Sequence, residues 1–195
     1  VVVEKTEWDG LLPALTSGKI DLIIAGMSPT AARRKAINFS EPYRKSTFVV
    51  IMNKDNKYAT AKKLSDFKGA KLTAQQGTLH YDLIKQLKGS KREPAMRDFS
   101  AMRQSLASGT IDGYVAEDIE FESYHNVNPN IVAVNLNKMA GFHVDHDDSV
   151  TSIGVKKGNT KLLNEVNATL RSIPTKERDQ LMSKAIREQP KAGNS

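Results

Sequence analysis

Short apolar runs and amphipathic stretches alternate along this chain, which is the pattern of an α/β fold. The apolar runs are short and rich in β-branched residues, so they predict strands at residues 19–25, 48–52, 71–74, 111–116 and 130–136. A further run at 151–155 repeats the pattern of 48–52, which makes these two strands candidates for pairing.

Leucines at helical spacing predict the elements between the strands. The first helix has Asp9 as its N-cap and Gly18 just past its C-terminus. Another helix starts near Thr78, and a third is capped by Ser100. The tail holds two amphipathic helices, of which the second is capped by Thr175.

The stretch 21–43 combines a strand, a turn and a helix start, and it is the strongest candidate for a binding site. The turn at 26–29 precedes Thr30, a good N-cap for a short helix that carries Arg33 and Arg34. In α/β proteins, ligands bind at the carboxyl ends of the strands. The turn offers backbone groups, a hydroxyl and an arginine, but no nucleophile, acid or metal set. We therefore predict that it holds an anionic group without transforming it.

The helix that starts near Thr78 offers a second possible anion site, because helix N-termini leave backbone N–H groups unpaired. Gly77 in the preceding turn is a weak signal by itself, since such glycines usually serve only the backbone. Trp8, just before the first helix, either packs as a hydrophobic staple or faces a cleft. The residues alone favour the staple.

Composition indicates an ordinary soluble globular protein, because 39% of its 195 residues are hydrophobic and 26% are charged. No apolar run approaches the roughly 20 residues that span a bilayer. The net charge of +7 is spread over every segment and aromatic residues make up only 6%, so we expect no nucleic-acid partner. The lack of cysteine excludes disulfides, thiol catalysis and zinc–thiolate sites.

Residues 142–148 form the one cluster that suggests a metal. His143 and His146 stand among three aspartates, but their spacing fits no closed zinc site and the segment lacks the glycine of a calcium loop. A solvated loop is the better interpretation. Because the chain also lacks a nucleophile elbow, a P-loop and a dinucleotide fingerprint, we expect no cofactor, no catalytic residue and no enzymatic activity.

Four segments in order strongly resemble bacterial extracellular solute-binding proteins, family 3, the amino-acid-binding subunits of ABC transporters. They are WDGLLPALTSGKIDLIIAGMSPTAARRKAINFSEPY at 8–43, KLTAQQGT at 71–78, GTIDGYVAE at 109–117 and SIGVKKGN at 152–159. Their order and spacing hold over nearly all of the chain. The resemblance implies a type II periplasmic-binding-protein fold, with two α/β lobes joined by hinge strands that close on a ligand.

The resemblance also implies roles for individual residues. Arg33 holds the carboxylate of an amino acid, together with the backbone N–H groups of Thr78 and Leu79. The ligand's ammonium is met by Glu117, where family members often carry Asp, and by the first-lobe loop Gly26, Met27 and Ser28. Trp8 walls the side-chain pocket, which reverses the interpretation from residues alone, and Gln75 touches the ligand's side chain.

The chain departs from the family at its front, since members begin with roughly fifty further residues of lobe one. The missing segment is truncated, disordered or supplied by another chain. We therefore expect an incomplete lobe one at 1–54 plus 149–195 and a lobe two at 55–148. We also expect weak or absent ligand binding by these 195 residues and an exposed edge strand at lobe one.

The implied partners are a free amino acid and the membrane permease of an ABC importer. The resemblance implies a location at the extracellular face of the cytoplasmic membrane or in the periplasm, peripheral to the membrane, and allows a lipid anchor in a full-length protein. Two alternatives share the fold: the ligand-sensing domain of a membrane receptor or kinase, and a dehydratase. Which amino acid is bound does not follow from the sequence.

Overall fold

The structure, a computed structural model, describes residues 1–136 and 141–189. The helices are α1 Leu11–Ser17, α2 Ala31–Ala36, α3 Leu79–Leu83, α4 Phe99–Ala107, α5 Asp118–His125, α6 Thr160–Ser172 and α7 Thr175–Glu188. The strands are β1 Leu22–Ile23, β2 Ile37–Phe39, β3 Arg44–Lys45, β4 Phe48–Asn53, β5 Lys71–Thr73, β6 Lys91–Arg92, β7 Gly113–Glu117, β8 Ile131–Val134, β9 Val150–Thr151 and β10 Gly154–Lys156. Single 3₁₀ turns occur at Trp8–Gly10, Leu64–Phe67, Ile84–Gln86 and Asp147–Ser149.

The chain forms two compact units, the first from residues 1–46 and 144–185 and the second from residues 47–143 and 186–195. Each unit has its own β-sheet and its own buried cluster of apolar side chains. Within the part of the chain that the structure describes, every helix is too short or too polar to cross a bilayer.

The first unit is built on a three-stranded antiparallel sheet in the order β1-β10-β2, beside a two-stranded ribbon of β3 and β9. Helix α1 packs on the three-stranded sheet through a core of Leu11, Leu15, Ile23, Met27, Ile37 and Phe39. Gly154 in the middle strand lets the neighbours approach, since a Cβ there would lie 2.9 Å from the Cδ1 atom of Ile37. Strand β1 lies at one edge of this sheet, and Ile24 beside it is exposed.

The second unit is built on a five-stranded sheet in the order β6-β5-β7-β4-β8. Strands β6, β5 and β7 run parallel, and β4 is antiparallel to both of its neighbours. All five residues of β7 are buried, and so is β4 up to Met52, because helices cover the sheet through their apolar faces. The central apolar runs of the sequence therefore form the middle of this sheet.

Three local predictions were wrong. The first helix is preceded by a 3₁₀ turn, so its N-cap is Gly10 and not Asp9. The helix at 99–107 is capped by Asp98 rather than Ser100, since the Asp98 carboxylate accepts the N–H of Ala101 at 2.9 Å. Strand β4 pairs with β7 and β8, whereas the run at 151–155 pairs within the first unit.

Other local predictions were confirmed. Thr30 caps α2 through its side chain, and α3 begins directly after Thr78. Gly18 ends α1 with a left-handed φ of 84°, as expected for a residue just past a helix C-terminus. The strand predicted at 19–25 is shorter than expected and covers only Leu22–Ile23.

Candidate functional site

In the first unit, Arg33 is held in place by two groups of the turn that precedes it. Its backbone N–H donates to Oγ1 of Thr30 at 3.3 Å, and its Nη1 donates to the carbonyl oxygen of Ser28 at 3.0 Å. The guanidinium carbon lies 5.3 Å from the centre of the Trp8 ring, the distance of a cation–π contact. The side chain is half-buried, so this arginine is held near the carboxyl end of β1 and is not fully solvated.

The loop between β1 and α2 is anchored on both sides. Gly26 takes a left-handed φ of 67° and donates its N–H to the hydroxyl of Tyr43 at 3.1 Å. The Met27 side chain is buried in the core of the unit, and its carbonyl accepts the N–H of Ser152 at 3.0 Å. Ser28 is buried and its hydroxyl donates to the carbonyl of Asp148 at 3.2 Å. The predicted loop residues are thus brought together with Arg33.

Asp148 is a charged neighbour of this site that the sequence did not single out. Burial raises the pKa of its carboxyl, the nearby Asp145 and Asp147 raise it further, and the positive charge of Arg33 acts in the opposite direction. The sequence placed Asp148 in a solvated loop, because nothing in its immediate neighbours signals the arginine far away in the chain. Its position follows only from the pairing of the strands around it.

In the second unit, the turn after β5 places Gln75 and Thr78 at the start of α3. The Gln75 amide donates to the carbonyl of Arg97 at 3.1 Å, and the Thr78 hydroxyl donates to the carbonyl of Gln75 at 2.6 Å. Gly77 has a φ of 69°, which lets the chain turn into the helix. Thr78 is buried, and the N–H groups of Thr78 and Leu79 stand at the helix start, where no intrahelical acceptor exists.

Glu117 ends β7 and is buried, with 7% of its surface exposed. A second residue missed by the sequence analysis, His80, lies beside it: Nε2 of the imidazole is 3.7 Å from Oε1 of Glu117. The His80 ring packs edge-on against Phe48 of β4, with ring centres 5.4 Å apart. The turn before α3 and the carboxyl end of β7 therefore meet, which places Thr78 and Glu117 in one region of the second unit.

The predicted residues thus form two groups. Trp8, Gly26, Met27, Ser28 and Arg33 belong to the first unit, and Gln75, Thr78, Leu79 and Glu117 belong to the second. Over residues 1–136 and 141–189, no group of three or more His, Asp or Glu side chains is arranged to hold a metal ion.

Comparison with known proteins identifies the family. The sequence profile of the bacterial extracellular solute-binding proteins, family 3, matches residues 1–188. The chain belongs to this family. The resemblance stated from its four motifs is therefore confirmed, and the match extends through both units.

One curated relative matches about two thirds of the chain. A probable histidine-binding protein of Campylobacter jejuni is 33% identical over 133 residues, which are 68% of this chain and 51% of that protein. The chain therefore spans about half the length of this curated relative. This relative and the solved structures given below are described as binding proteins.

Solved structures confirm the two-lobed α/β fold. An amino-acid ABC transporter substrate-binding protein from Streptococcus pneumoniae, solved with L-arginine bound, matches with a TM-score of 0.81 and 25% identity. It covers 95% of this chain, and the chain covers 76% of it. An ancestral amino-acid-binding protein, described as a precursor of cyclohexadienyl dehydratase, matches with a TM-score of 0.75 and 28% identity. The match covers 92% of this chain and 74% of the ancestral protein's chain.

Proposed function

We propose that this protein binds a free amino acid and delivers it to the membrane permease of an ABC importer. The observation that carries the proposal is that each unit offers one charge of opposite sign: the Arg33 guanidinium, bonded to the Ser28 carbonyl, in the first unit, and the buried Glu117 carboxylate in the second. A zwitterion removed from water needs a partner for each of its charges, because an unpaired buried charge costs several kcal/mol. Membership of the family supports the assignment of both residues to one ligand.

The proposed roles follow the chemistry of each group. Arg33 binds the ligand's carboxylate, for which the planar guanidinium is suited, and the N–H groups of Thr78 and Leu79 donate to the same carboxylate. Glu117 and the loop at 26–28 bind the ammonium; Met27 contributes by packing this loop onto the core. Trp8 lines the space for the ligand's side chain, and Gln75 contacts that side chain.

Arginine and histidine are the first ligands to test. The Streptococcus pneumoniae structure holds L-arginine, and the Campylobacter jejuni relative is described as a probable histidine-binding protein. The delivery role places the protein outside the cytoplasmic membrane, at its extracellular face or in the periplasm. A lipid anchor in a longer form of the protein fits the same role.

We further propose that the ligand is bound without being transformed. Dehydratase chemistry on this fold needs an acid that protonates a leaving group, and Glu117 is the buried carboxyl in the proposed binding set. Its proposed partner is an ammonium group, which takes a carboxylate rather than a carboxylic acid. Recovery of the ligand chemically unchanged after prolonged incubation is the expected result, and release of a dehydrated product would contradict it.

A thermal-shift screen of the twenty amino acids tests the ligand assignment. A ligand that binds only the folded state raises the free energy of unfolding by about 2.7 kcal/mol at a hundredfold excess over its Kd, and by less at lower excess. We expect one amino acid or a chemically related group to raise Tm, and Arg33→Ala to abolish the rise. Equal Tm values with all twenty at ~10 mM would contradict the proposal.

A further inference from the structure

His80 is the second residue of α3, and its imidazole is enclosed between α3, β4 and β7 of the second unit. Only 14% of its side chain is exposed. Both ring nitrogens are buried, and neither has a hydrogen-bond partner among the described residues. A buried polar atom without a partner is costly, so an imidazole in this position calls for an explanation.

The nearest charged group is the carboxylate of Glu117, at 3.7 Å from Nε2. A normal N–H···O hydrogen bond spans about 2.7–3.2 Å, so a side-chain adjustment of roughly 0.5–1 Å brings the two groups into contact. The imidazole also packs edge-on against the Phe48 ring, which restricts its rotation. The geometry therefore favours an imidazole that donates from Nε2 to Glu117.

We propose that His80 is a positioning residue for ligand binding: its imidazole donates to Glu117 and fixes this carboxylate in the orientation that receives the ligand's ammonium. The proposal rests on the proposed function of Glu117 and adds to it a residue that the sequence analysis did not assign. A carboxylate with two oxygens accepts several hydrogen bonds at once. Glu117 is therefore able to keep its bond to His80 while it binds the ligand.

The other described groups near His80 are apolar or have partners of their own. Among the described residues near His80, Phe48 of β4 is apolar, and on α3 itself Asp82 pairs with Lys85. The hydroxyl of Tyr81, also on α3, donates to the carbonyl of Glu93.

The first experiment needs no ligand. The imidazole ring signals of His80, His125, His143 and His146 are compared by NMR in the wild type and in Glu117→Gln. A ring N–H that donates to a carboxylate changes its chemical shift when that acceptor is replaced, so the His80 ring signals move and those of the other three histidines stay unchanged. Unchanged ring signals for His80 would show that the two groups are not in contact and would overturn the proposal.

The second experiment compares Kd values for arginine, obtained from amide shifts at about pH 8. His80→Gln keeps a side-chain N–H donor, and His80→Leu keeps the volume without a donor. We expect His80→Gln to bind within about threefold of the wild type and His80→Leu about tenfold more weakly.

Wild-type affinity in His80→Leu, or a loss of affinity in His80→Gln as large as that in His80→Leu, would overturn the positioning role. Absence of arginine binding by the wild type calls for the same comparison with histidine and then the other amino acids. If none of them binds, the proposed function fails and the positioning role fails with it. A change of the His80 ring signals in the first experiment would then still show the contact with Glu117 by itself, so the two failures are distinguishable.

Discussion

Nη1 of Arg33 donates to the backbone carbonyl of Ser28, five residues earlier, at 3.0 Å. This contact ties the guanidinium to the loop that enters α2, and the N-cap bond from Thr30 fixes the backbone of the same residue. Arg33 is therefore preorganised before any ligand arrives, which lowers the entropy that binding has to overcome. Its neighbour Arg34 points elsewhere and forms an exposed pair with Asp147.

Arg33→Ala should abolish amino-acid binding. Truncation of one partner of a buried, hydrogen-bonded charge pair costs about 2–5 kcal/mol, which is a loss of affinity of at least ~30-fold. The matched control is Arg34→Ala, whose exposed ion pair contributes little, so that variant keeps wild-type affinity. Titration of both variants by calorimetry or NMR checks the prediction, and equal affinities for the two would refute the role of Arg33.

Thr30→Ala should destabilise the first unit by about 1 kcal/mol, because the first turn of α2 loses the acceptor of the Arg33 N–H. Thr30→Ser keeps that acceptor and should stay within a few tenths of a kcal/mol of the wild type. Urea unfolding followed by circular dichroism measures both. An alanine variant as stable as the serine variant would mean that the cap contributes nothing.

Tyr114→Phe should change how stability depends on alkaline pH. Burial of the Tyr114 hydroxyl, which donates to Glu120 at 3.0 Å, raises the pKa of this phenol far above its usual range. Above about pH 10 the unfolded chain loses this proton while the folded chain keeps it, so the wild type loses about 1.4 kcal/mol per pH unit from this group.

Without the hydroxyl, Tyr114→Phe lacks this contribution. Its free energy of unfolding therefore falls less steeply than that of the wild type above pH 10, although it is lower at pH 7 because Glu120 loses a donor. Urea unfolding at pH 7, 10 and 11 gives both values. Parallel curves for the two proteins would contradict a buried, protonated Tyr114.

Asp148→Asn should stabilise the protein slightly at neutral pH. A carboxyl whose pKa is raised by burial and by neighbouring aspartates binds its proton more tightly when folded, so its ionisation opposes folding above its unfolded pKa. The expected gain is below about 1 kcal/mol, since Asp148 is half-exposed and solvent screens its charge. The gain should vanish below about pH 4, where the wild-type carboxyl is protonated in both states.

The control for this prediction is Glu41→Gln, which removes an exposed carboxylate paired with Arg171 in the same unit. That variant should be no more stable than the wild type at any pH. If Asp148→Asn destabilises the protein at pH 7, attraction to Arg33 outweighs burial and the repulsion by neighbouring aspartates. The pKa of the Asp148 carboxyl would then be lowered on folding and not raised.

The periodicity of apolar residues predicted where the strands and helices lie better than it predicted which strands pair with each other. The run at 48–52 became β4 because a β-branched apolar segment fits a strand buried on both faces. Its pairing with β7 and β8 was missed, since several apolar runs have the same pattern and nothing local distinguishes their registers. The N-cap at Thr30 was predictable because its signal lies within one turn of the chain.

The site residues that lie inside family motifs could be predicted from the sequence. Those whose role depends on contacts with residues distant in the chain could not. Arg33 and Glu117 lie inside motifs, whereas His80 and Asp148 gain significance only from neighbours far away in sequence. An isolated histidine after a Gly-Thr turn gives no sign that a carboxylate much later in the chain will face it. Such residues become visible only once the strands are paired.

The most direct test of the account is an amide NMR titration of the 195-residue chain with arginine and, in parallel, histidine. This measurement detects millimolar binding, so it separates the two outcomes that the sequence leaves open for this chain, weak binding and no binding. We predict saturable shifts of the Ser28, Thr78 and Leu79 amides that disappear in Arg33→Ala and in Glu117→Gln but persist in Arg34→Ala. Shifts at these amides that survive in both site variants, or no saturable shift with any amino acid, would contradict the claim that these residues bind an amino acid.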